Sequence, residues 1–107
     1  MSIPTQFSNV TVIPKANIYF EGKVISHTIF FDDSSKKTLG LIYPGEYKFD
    51  TGAAEVMEIV AGRCSIKMKG ENEWKRYENG TFFKVAENSF FEITVEEGIL
   101  EYICSYE

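Results

Sequence analysis

The side chains of this sequence that could do chemistry are carboxylates, hydroxyls, amines and aromatic rings rather than imidazoles. The single histidine, His27, lies between Ser26 and Thr28 in a run typical of a strand. One imidazole cannot form the histidine cluster that zinc, copper or non-haem iron requires. No serine lies in a Gly-x-Ser-x-Gly pattern. These absences argue against metal-dependent and serine-hydrolase mechanisms.

Composition predicts one small domain and excludes several partners. The chain has 107 residues, 44% of them apolar and 25% charged, with a net charge of -5. A negative chain repels nucleic acid and anionic membranes, so we expect no nucleic-acid and no membrane partner. The first 14 residues carry neither the basic start nor the apolar block of a signal peptide, and no segment is apolar enough to span a bilayer. We therefore expect a cytoplasmic protein.

The two cysteines, Cys64 and Cys104, are far apart in sequence and form no Cys-x-x-Cys pair. In a reducing cytoplasm this favours two buried, unbridged thiols, with a disulfide as the less favoured alternative.

Short segments rich in Val, Ile, Phe, Tyr and Thr alternate with glycines, a pattern that predicts strands. The predicted strands are residues 18–29, 38–43, 46–51, 55–61, 64–69, 81–85, 90–95 and 99–106. Within 64–69 every second residue is apolar, as in a half-buried strand. Pro44-Gly45 predicts a type II turn, and Gly62 predicts a tight hairpin. The fold class is therefore all-β, a sandwich or barrel.

The glycine spacing matches the motifs of cupins, which are small double-stranded β-helix, or jelly-roll, barrels. The first cupin motif is a glycine, five residues and then His-x-His, followed by a glutamate and, after six more residues, a second glycine. Here five residues separate Gly45 from Thr51, which takes the first histidine position, and Ala53 takes the second. The glutamate position of the motif is ambiguous. Counting back from Gly62 past six residues reaches Glu55, whereas counting forward from Ala53 reaches Glu58. In the second motif, counting eleven positions from Gly80 reaches Phe91. The three histidine positions of a metal cupin thus hold Thr51, Ala53 and Phe91, so we expect no metal and no cofactor.

Over residues 17–107 the resemblance extends beyond the fold to particular residues. The stretches that carry it are Tyr19-Phe20-x-Gly22-Lys23-Val24, Gly45-Glu46-Tyr47-x-Phe49-x-Thr51, Glu55-x-Met57, Gly62, Trp74, Gly80-x-x-Phe83-x-Val85, Ser89-x-Phe91 and Tyr102-x-Cys104-x-Tyr106. In their order and spacing they resemble the small cupin-type pyrimidine/purine nucleoside phosphorylases. One departure is Ala86, where that family usually has proline.

The resemblance implies a cupin barrel over residues 17–107, preceded by a leader or edge strand over residues 1–16. It also implies an enzyme, a metal-free nucleoside phosphorylase of broad specificity. Such an enzyme converts nucleoside and inorganic phosphate, its co-substrate, into free base and pentose 1-phosphate. A non-catalytic cupin module that binds a small sugar or nucleoside is the alternative, and a purely structural dimer with a filled barrel is a third.

Phosphorolysis passes through a cation-like sugar, so it needs a phosphate site, a group for the sugar hydroxyls and a surface for the base. Lys23 and Arg63 are the phosphate candidates, although both positions also suit solvated charges. Lys36-Lys37, beside Asp32-Asp33, is interpreted as a solvated loop.

Glu55 is the candidate for the ribose hydroxyls, and Thr51 shares its wall. A structural ion pair or a hydrogen bond to a tyrosine is the alternative role for Glu55. Glu58 has the opposite strand parity and is expected to face outward. The base-stacking candidates are Tyr47, Phe49, Phe83, Phe91 and Tyr102, although a barrel this small needs most of its rings for the core. Long strand edges that need cover predict a homodimer.

Overall fold

The computed structural model describes residues 3–107, and almost all of its regular structure is β-strand. The first two residues of the expected leader lie outside this range. The strands are β1 (Thr11–Val12), β2 (Asn17–Tyr19), β3 (Val24–Phe30), β4 (Lys36–Ile42), β5 (Gly45–Asp50), β6 (Glu55–Ala61), β7 (Arg63–Met68), β8 (Lys75–Glu78), β9 (Phe82–Val85), β10 (Phe90–Val95) and β11 (Leu100–Tyr106). One 3₁₀ turn, Phe20–Gly22, joins β2 to β3.

Two antiparallel sheets face each other across the core. The seven-stranded sheet has the order β1-β3-β4-β11-β6-β9, with β2 also paired to β3, and the four-stranded sheet has the order β5-β10-β7-β8. From β4 to β7, and again from β8 to β11, each strand lies in the opposite sheet to the one before it. This alternation is that of a jelly-roll, so the all-β cupin-type prediction is confirmed.

The connection at Gly62 differs from its prediction. A tight hairpin would pair β6 with β7, but these strands lie in different sheets, so the hairpin is wrong. Gly62 instead turns the chain across the barrel end with φ +87, and a Cβ on it would lie 2.8 Å from the carbonyl oxygen of Ile99. Glycine is required at this corner because both the backbone angle and the close approach exclude a side chain.

The predicted strands match the structure except at three places. The run 18–29 is broken by the 3₁₀ turn, where Phe20 and Glu21 both have positive φ. Strand β8 was not predicted, because its sequence Lys-Arg-Tyr-Glu is polar and only Tyr77 is shielded from solvent. Strand β4 begins at Lys36, two residues before its predicted start, so Lys36-Lys37 is not part of a loop. Within the leader, Thr11–Val12 forms an edge strand antiparallel to β3.

The core lies between the sheets, and the largest fully buried side chain is Phe91. Both cysteines are buried and free, as expected. Within residues 3–107 no helix is long and apolar enough to cross a membrane.

Candidate active site

A cavity of about 140 Å³ lies between the two sheets. Its lining consists of Tyr19, Ser26, Thr38, Ile42, Phe49, Glu55, Met57, Phe91, Tyr102, Cys104 and Tyr106. The seven-stranded sheet contributes all of the hydroxyl, thiol and carboxylate groups. The four-stranded sheet contributes only the rings of Phe49 and Phe91. The filled barrel of a purely structural dimer is therefore not what the structure has.

Strand register brings the polar side chains together. Glu55 begins β6, and its side chain shares the inward face with those of Met57 and Ile59 because successive side chains alternate. On the neighbouring strand β11, Tyr106 pairs with Glu55 and Cys104 pairs with Met57. Glu55, Cys104 and Tyr106 therefore converge at one end of the barrel, as expected for Glu55.

The carboxylate of Glu55 is half-buried and forms no ion pair with the described residues. The Cys104 thiol donates a hydrogen bond to its Oε1 at 3.5 Å. Burial raises the pKa of Glu55, while the Cys104 hydrogen bond and the positive charge of Lys36 partly offset that rise. A carboxylate in this state gains from any ligand that brings hydrogen-bond donors.

The donor at Cys104 is a neutral thiol. Burial and the neighbouring charge of Glu55 raise the pKa of Cys104 to about 12. The proton therefore stays on sulfur near neutral pH, and Cys104 positions the carboxylate rather than acting as a nucleophile.

Hydroxyl groups complete the polar wall. Thr38 Oγ1 and Tyr106 Oη lie 3.1 Å apart and share one hydrogen bond. Ser26 Oγ accepts a hydrogen bond from Asn17 Nδ2 at 3.3 Å. Burial raises the pKa of Tyr106 above its usual range, so its phenol is neutral. This wall can therefore offer hydroxyl groups to a polyhydroxylated ligand.

The aromatic wall is a short stack. Phe49 and Phe91 are stacked with ring centroids 5.5 Å apart and an interplanar angle of 27°. Phe20 meets the Phe49 ring edge-on at 5.5 Å and is exposed. Such a wall presents an apolar face without fixed hydrogen-bond donors or acceptors, which suits a ring of variable substitution.

Three of the five aromatic candidates line the cavity, namely Phe49, Phe91 and Tyr102. The other two do not. Phe83 is buried in the core, between Tyr77 and Phe91. Tyr47 donates its hydroxyl to the carbonyl oxygens of Tyr43 at 2.8 Å and Pro44 at 3.1 Å, which fixes the start of β5.

The structure does not bring Thr51 into the cavity. Its hydroxyl donates to the carbonyl oxygen of Ala86 at 2.7 Å and accepts from the backbone N–H of Ser89 at 2.9 Å. Both bonds tie the end of β5 to the loop before β10. The geometry gives Thr51 a structural role and leaves no free hydroxyl proton for substrate.

The two predicted phosphate ligands also lie away from Glu55. Arg63 is exposed, pairs with Glu97 and follows the far end of β6. At about 3.3 Å per residue, that end is roughly 20 Å from Glu55. Lys23 is exposed and precedes Val24, which pairs with Ile42 at the same far end. Neither side chain lines the cavity.

Glu58 lies on the outer face of the seven-stranded sheet, opposite to Glu55, as its parity predicts. It is not solvent-exposed, however, because only 6% of its surface is accessible. Its partners on the two neighbouring strands are the apolar residues Ile103 and Phe82. The alternation pattern gives the face on which Glu58 lies but not how far its neighbours cover it.

The residues present do not fit the metal centre of a metal cupin. Phe91 offers no ligand atom, and the hydroxyl of Thr51 is committed to the backbone. Within residues 3–107 no three His, Cys, Asp or Glu side chains are grouped so as to hold a metal ion.

Sequence reasoning assigned no role to several lining residues: Tyr19, Ser26, Thr38, Cys104 and Tyr106. The alternation in Tyr102-x-Cys104-x-Tyr106 was the available signal, because it places three side chains on one face of a strand.

Comparison with known proteins shows which family the chain belongs to. A family model described as pyrimidine/purine nucleoside phosphorylase matches residues 14–106. The chain belongs to this family. A relative of that name from Herminiimonas arsenicoxydans is 52% identical over 95% of this chain and 97% of its own length. Another, from Paraburkholderia xenovorans, is 51% identical over 99% of both chains.

Solved structures share the fold of this chain. A protein of unknown function from Acinetobacter sp. ADP1 superimposes with a TM-score of 0.92 at 44% identity, covering 95% of this chain and 98% of its own. Oxalate decarboxylase from Bacillus subtilis has a TM-score of 0.74 at 13% identity, covering 99% of this chain and 31% of its own, and is alike in fold alone. The resemblance read from the sequence is confirmed, and the chain is an enzyme, a nucleoside phosphorylase, rather than a non-catalytic binding module.

Proposed function

We propose that this phosphorylase acts without a metal ion and accepts nucleosides with different bases. The observation that carries the proposal is the cavity itself, in which the half-buried carboxylate of Glu55 faces the Phe49–Phe91 stack. Glu55 accepts hydrogen bonds from the ribose hydroxyls, and the aromatic stack contacts the base. A ribose diol supplies the two donors that the carboxylate lacks.

The size of the cavity supports broad base tolerance. At about 140 Å³ it is smaller than the roughly 300–1,000 Å³ of typical ligand pockets. Only part of a nucleoside is then enclosed. With the sugar against the polar wall, the base extends past Phe49 toward the exposed rings of Tyr19 and Phe20. Stacking on these rings selects little between purines and pyrimidines.

The reaction needs no covalent enzyme intermediate. A phosphate oxygen forms the new bond to C1′ of the ribose, and the bond between C1′ and the base nitrogen breaks. Its electron pair leaves with the base, which takes a proton from solvent. The positive charge that develops on the sugar is stabilised by the nearby carboxylate of Glu55.

A chromatographic assay tests this function directly. The chain, treated with a chelator, is incubated with uridine and separately with inosine, each with and without inorganic phosphate. We expect free base from both nucleosides only when phosphate is present. Base release that needs added metal contradicts the metal-free mechanism, and activity on one base class alone contradicts broad specificity.

We further propose a cytoplasmic homodimer. The outer face of the seven-stranded sheet leaves Val12, Ile18 and Val60 exposed at 56%, 63% and 41%. Covering them with a second copy would remove apolar surface from water. Sedimentation at micromolar concentration should give twice the chain mass, and a monomer contradicts this proposal.

A further inference from the structure

We propose that Lys36 binds the phosphate co-substrate at the mouth of the cavity, an inference that rests on the proposed phosphorolysis. The sequence places Lys36 in a charged loop, but in the structure it is the first residue of β4. Its place in the register, the absence of a carboxylate within 4 Å among the described residues and its aromatic neighbour all support this role.

Register puts Lys36 on the inward face at the same barrel end as Glu55. Ser105 pairs with Lys37, so Tyr106 is opposite Lys36 across the β4–β11 ladder, and Tyr106 pairs with Glu55 on the other side. The three side chains form a row across neighbouring strands. At about 4.8 Å between strands, the Cα atoms of Lys36 and Glu55 are roughly 10 Å apart across the sheet, with Tyr106 between them.

The exposed ammonium group lies outside the cavity-lining residues, over the ring of one of them, and forms no ion pair with the described residues. Lys36 Nζ lies 4.7 Å from the ring centroid of Tyr106, a cation–π contact that orients it over a lining residue. Within residues 3–107 the ion pairs found are Arg63–Glu97 and Lys67–Glu92, so Lys36 has no carboxylate within 4 Å. Asp33 in the preceding loop is engaged by Ser35.

A second donor is available beside it. Thr38 Oγ1 and Tyr106 Oη share one hydrogen bond, which uses one of their two hydroxyl protons. The other proton can point to a phosphate oxygen. Lys36 also supplies the positive charge that a phosphate dianion needs in order to approach the carboxylate of Glu55.

Lys37 provides a matched control. It is the next residue on the same strand, but its side chain points to the outer face, where Nζ donates to Ser105 Oγ at 2.7 Å and lies 5.8 Å from the Phe7 ring centroid. Lys36→Met and Lys37→Met remove the same charge on opposite faces of the sheet. Lys36 is exposed, so its replacement should leave the fold intact.

Steady-state kinetics with varied phosphate separates the two positions. Loss of a charged hydrogen bond should raise the KM for phosphate by roughly 10- to 150-fold in Lys36→Met, with much less change in the KM for nucleoside. Lys36→Arg should restore most of the phosphate affinity, and Lys37→Met should stay within about twofold of the wild type. A phosphate KM unchanged in Lys36→Met, or raised equally in Lys37→Met, overturns the assignment.

Calorimetric titration with inorganic phosphate gives a readout that does not depend on turnover. We expect heat of binding for the wild type and Lys37→Met, and weaker binding for Lys36→Met. Should the wild type release no base with phosphate, the proposed function fails, while this titration still tests Lys36. Equal phosphate binding by the wild type and Lys36→Met, or no binding by either, overturns the inference.

Discussion

The two sheets contribute opposite chemistry to the same cavity. The four-stranded sheet presents rings and aliphatic side chains, with Phe91 and Ile93 almost fully buried. The seven-stranded sheet presents a carboxylate, a thiol and hydroxyls around Glu55, although its inward face also includes Ile59, which is fully buried. In the proposed mechanism, the first sheet supplies packing and a stacking surface, while the second supplies the groups that act on the sugar. Substitutions should therefore affect stability in one sheet and turnover in the other.

The largest expected effect is on the aromatic side. Phe91→Ala removes a ring that is 2% exposed and packs against Phe49 and Phe83. The lost burial and the remaining cavity should lower the free energy of unfolding by about 3–5 kcal/mol. Urea denaturation measures this loss. A change below 1 kcal/mol would mean that the Phe91 site collapses easily and does not anchor the sheet.

Substitution of Glu55, on the seven-stranded sheet, should lower turnover rather than stability. Glu55→Gln keeps the volume and one acceptor but removes the charge that stabilises the cationic sugar. We expect kcat/KM to fall by roughly 30- to 1000-fold, equal to about 2–4 kcal/mol of transition-state stabilisation, with no loss of unfolding free energy at neutral pH.

Glu92→Gln is the control for this change. Glu92 lies on the outward face of the four-stranded sheet, 3.3 Å from Lys67, and should tolerate the same substitution with full activity. If both variants keep full activity, Glu55 is only a structural carboxylate.

Gly40 lies in β4, opposite Tyr102 of β11, on the sheet that carries the polar groups. A Cβ on Gly40 would lie 2.5 Å from the hydroxyl oxygen of Tyr102, which is buried and lines the cavity. Gly40→Ala should therefore push the Tyr102 ring aside and destabilise the fold by about 1–3 kcal/mol. The nucleoside KM should rise as well, because the ring moves within the cavity wall. Unchanged melting and kinetics would contradict this packing.

The smallest expected effect is the pH dependence of stability. Burial raises the pKa of Glu55 in the folded state, so the folded chain holds this proton more tightly than the unfolded chain. The resulting stabilisation is complete below the unfolded pKa, about 4.3, and is lost as pH rises through the raised folded pKa. Because Gln cannot ionise, only the wild type loses this stabilisation as pH rises. The Tm of Glu55→Gln minus that of the wild type should therefore increase with pH. A Tm difference independent of pH contradicts a raised pKa.

The alternation of apolar residues and the glycine spacing were enough to predict the fold and the inward orientation of Glu55. The sheet assignment of each strand was not predictable, because a corner such as Gly62 and a hairpin have the same local sequence. Lys36 was misjudged for a similar reason. Extending the parity of Thr38 back by two residues places Lys36 on the inward face, but only if β4 begins there, and a charged run gives no sign of that. The Thr51 hydroxyl and the Tyr47 ring were taken as available to substrate, since sequence does not show that both hydroxyls bond to backbone carbonyls.

The central claim, that Glu55 holds the ribose hydroxyls, is tested most directly by pairing its substitution with substrates that lack those hydroxyls. The measurement is the ratio of kcat/KM for uridine to that for 2′,3′-dideoxyuridine, in the wild type and in Glu55→Gln. The wild type should prefer uridine strongly, and the ratio should fall at least about fivefold in Glu55→Gln, because a charged hydrogen bond becomes a neutral one. The same ratio in both proteins would contradict the claim, since Glu55 would then not sense the hydroxyls.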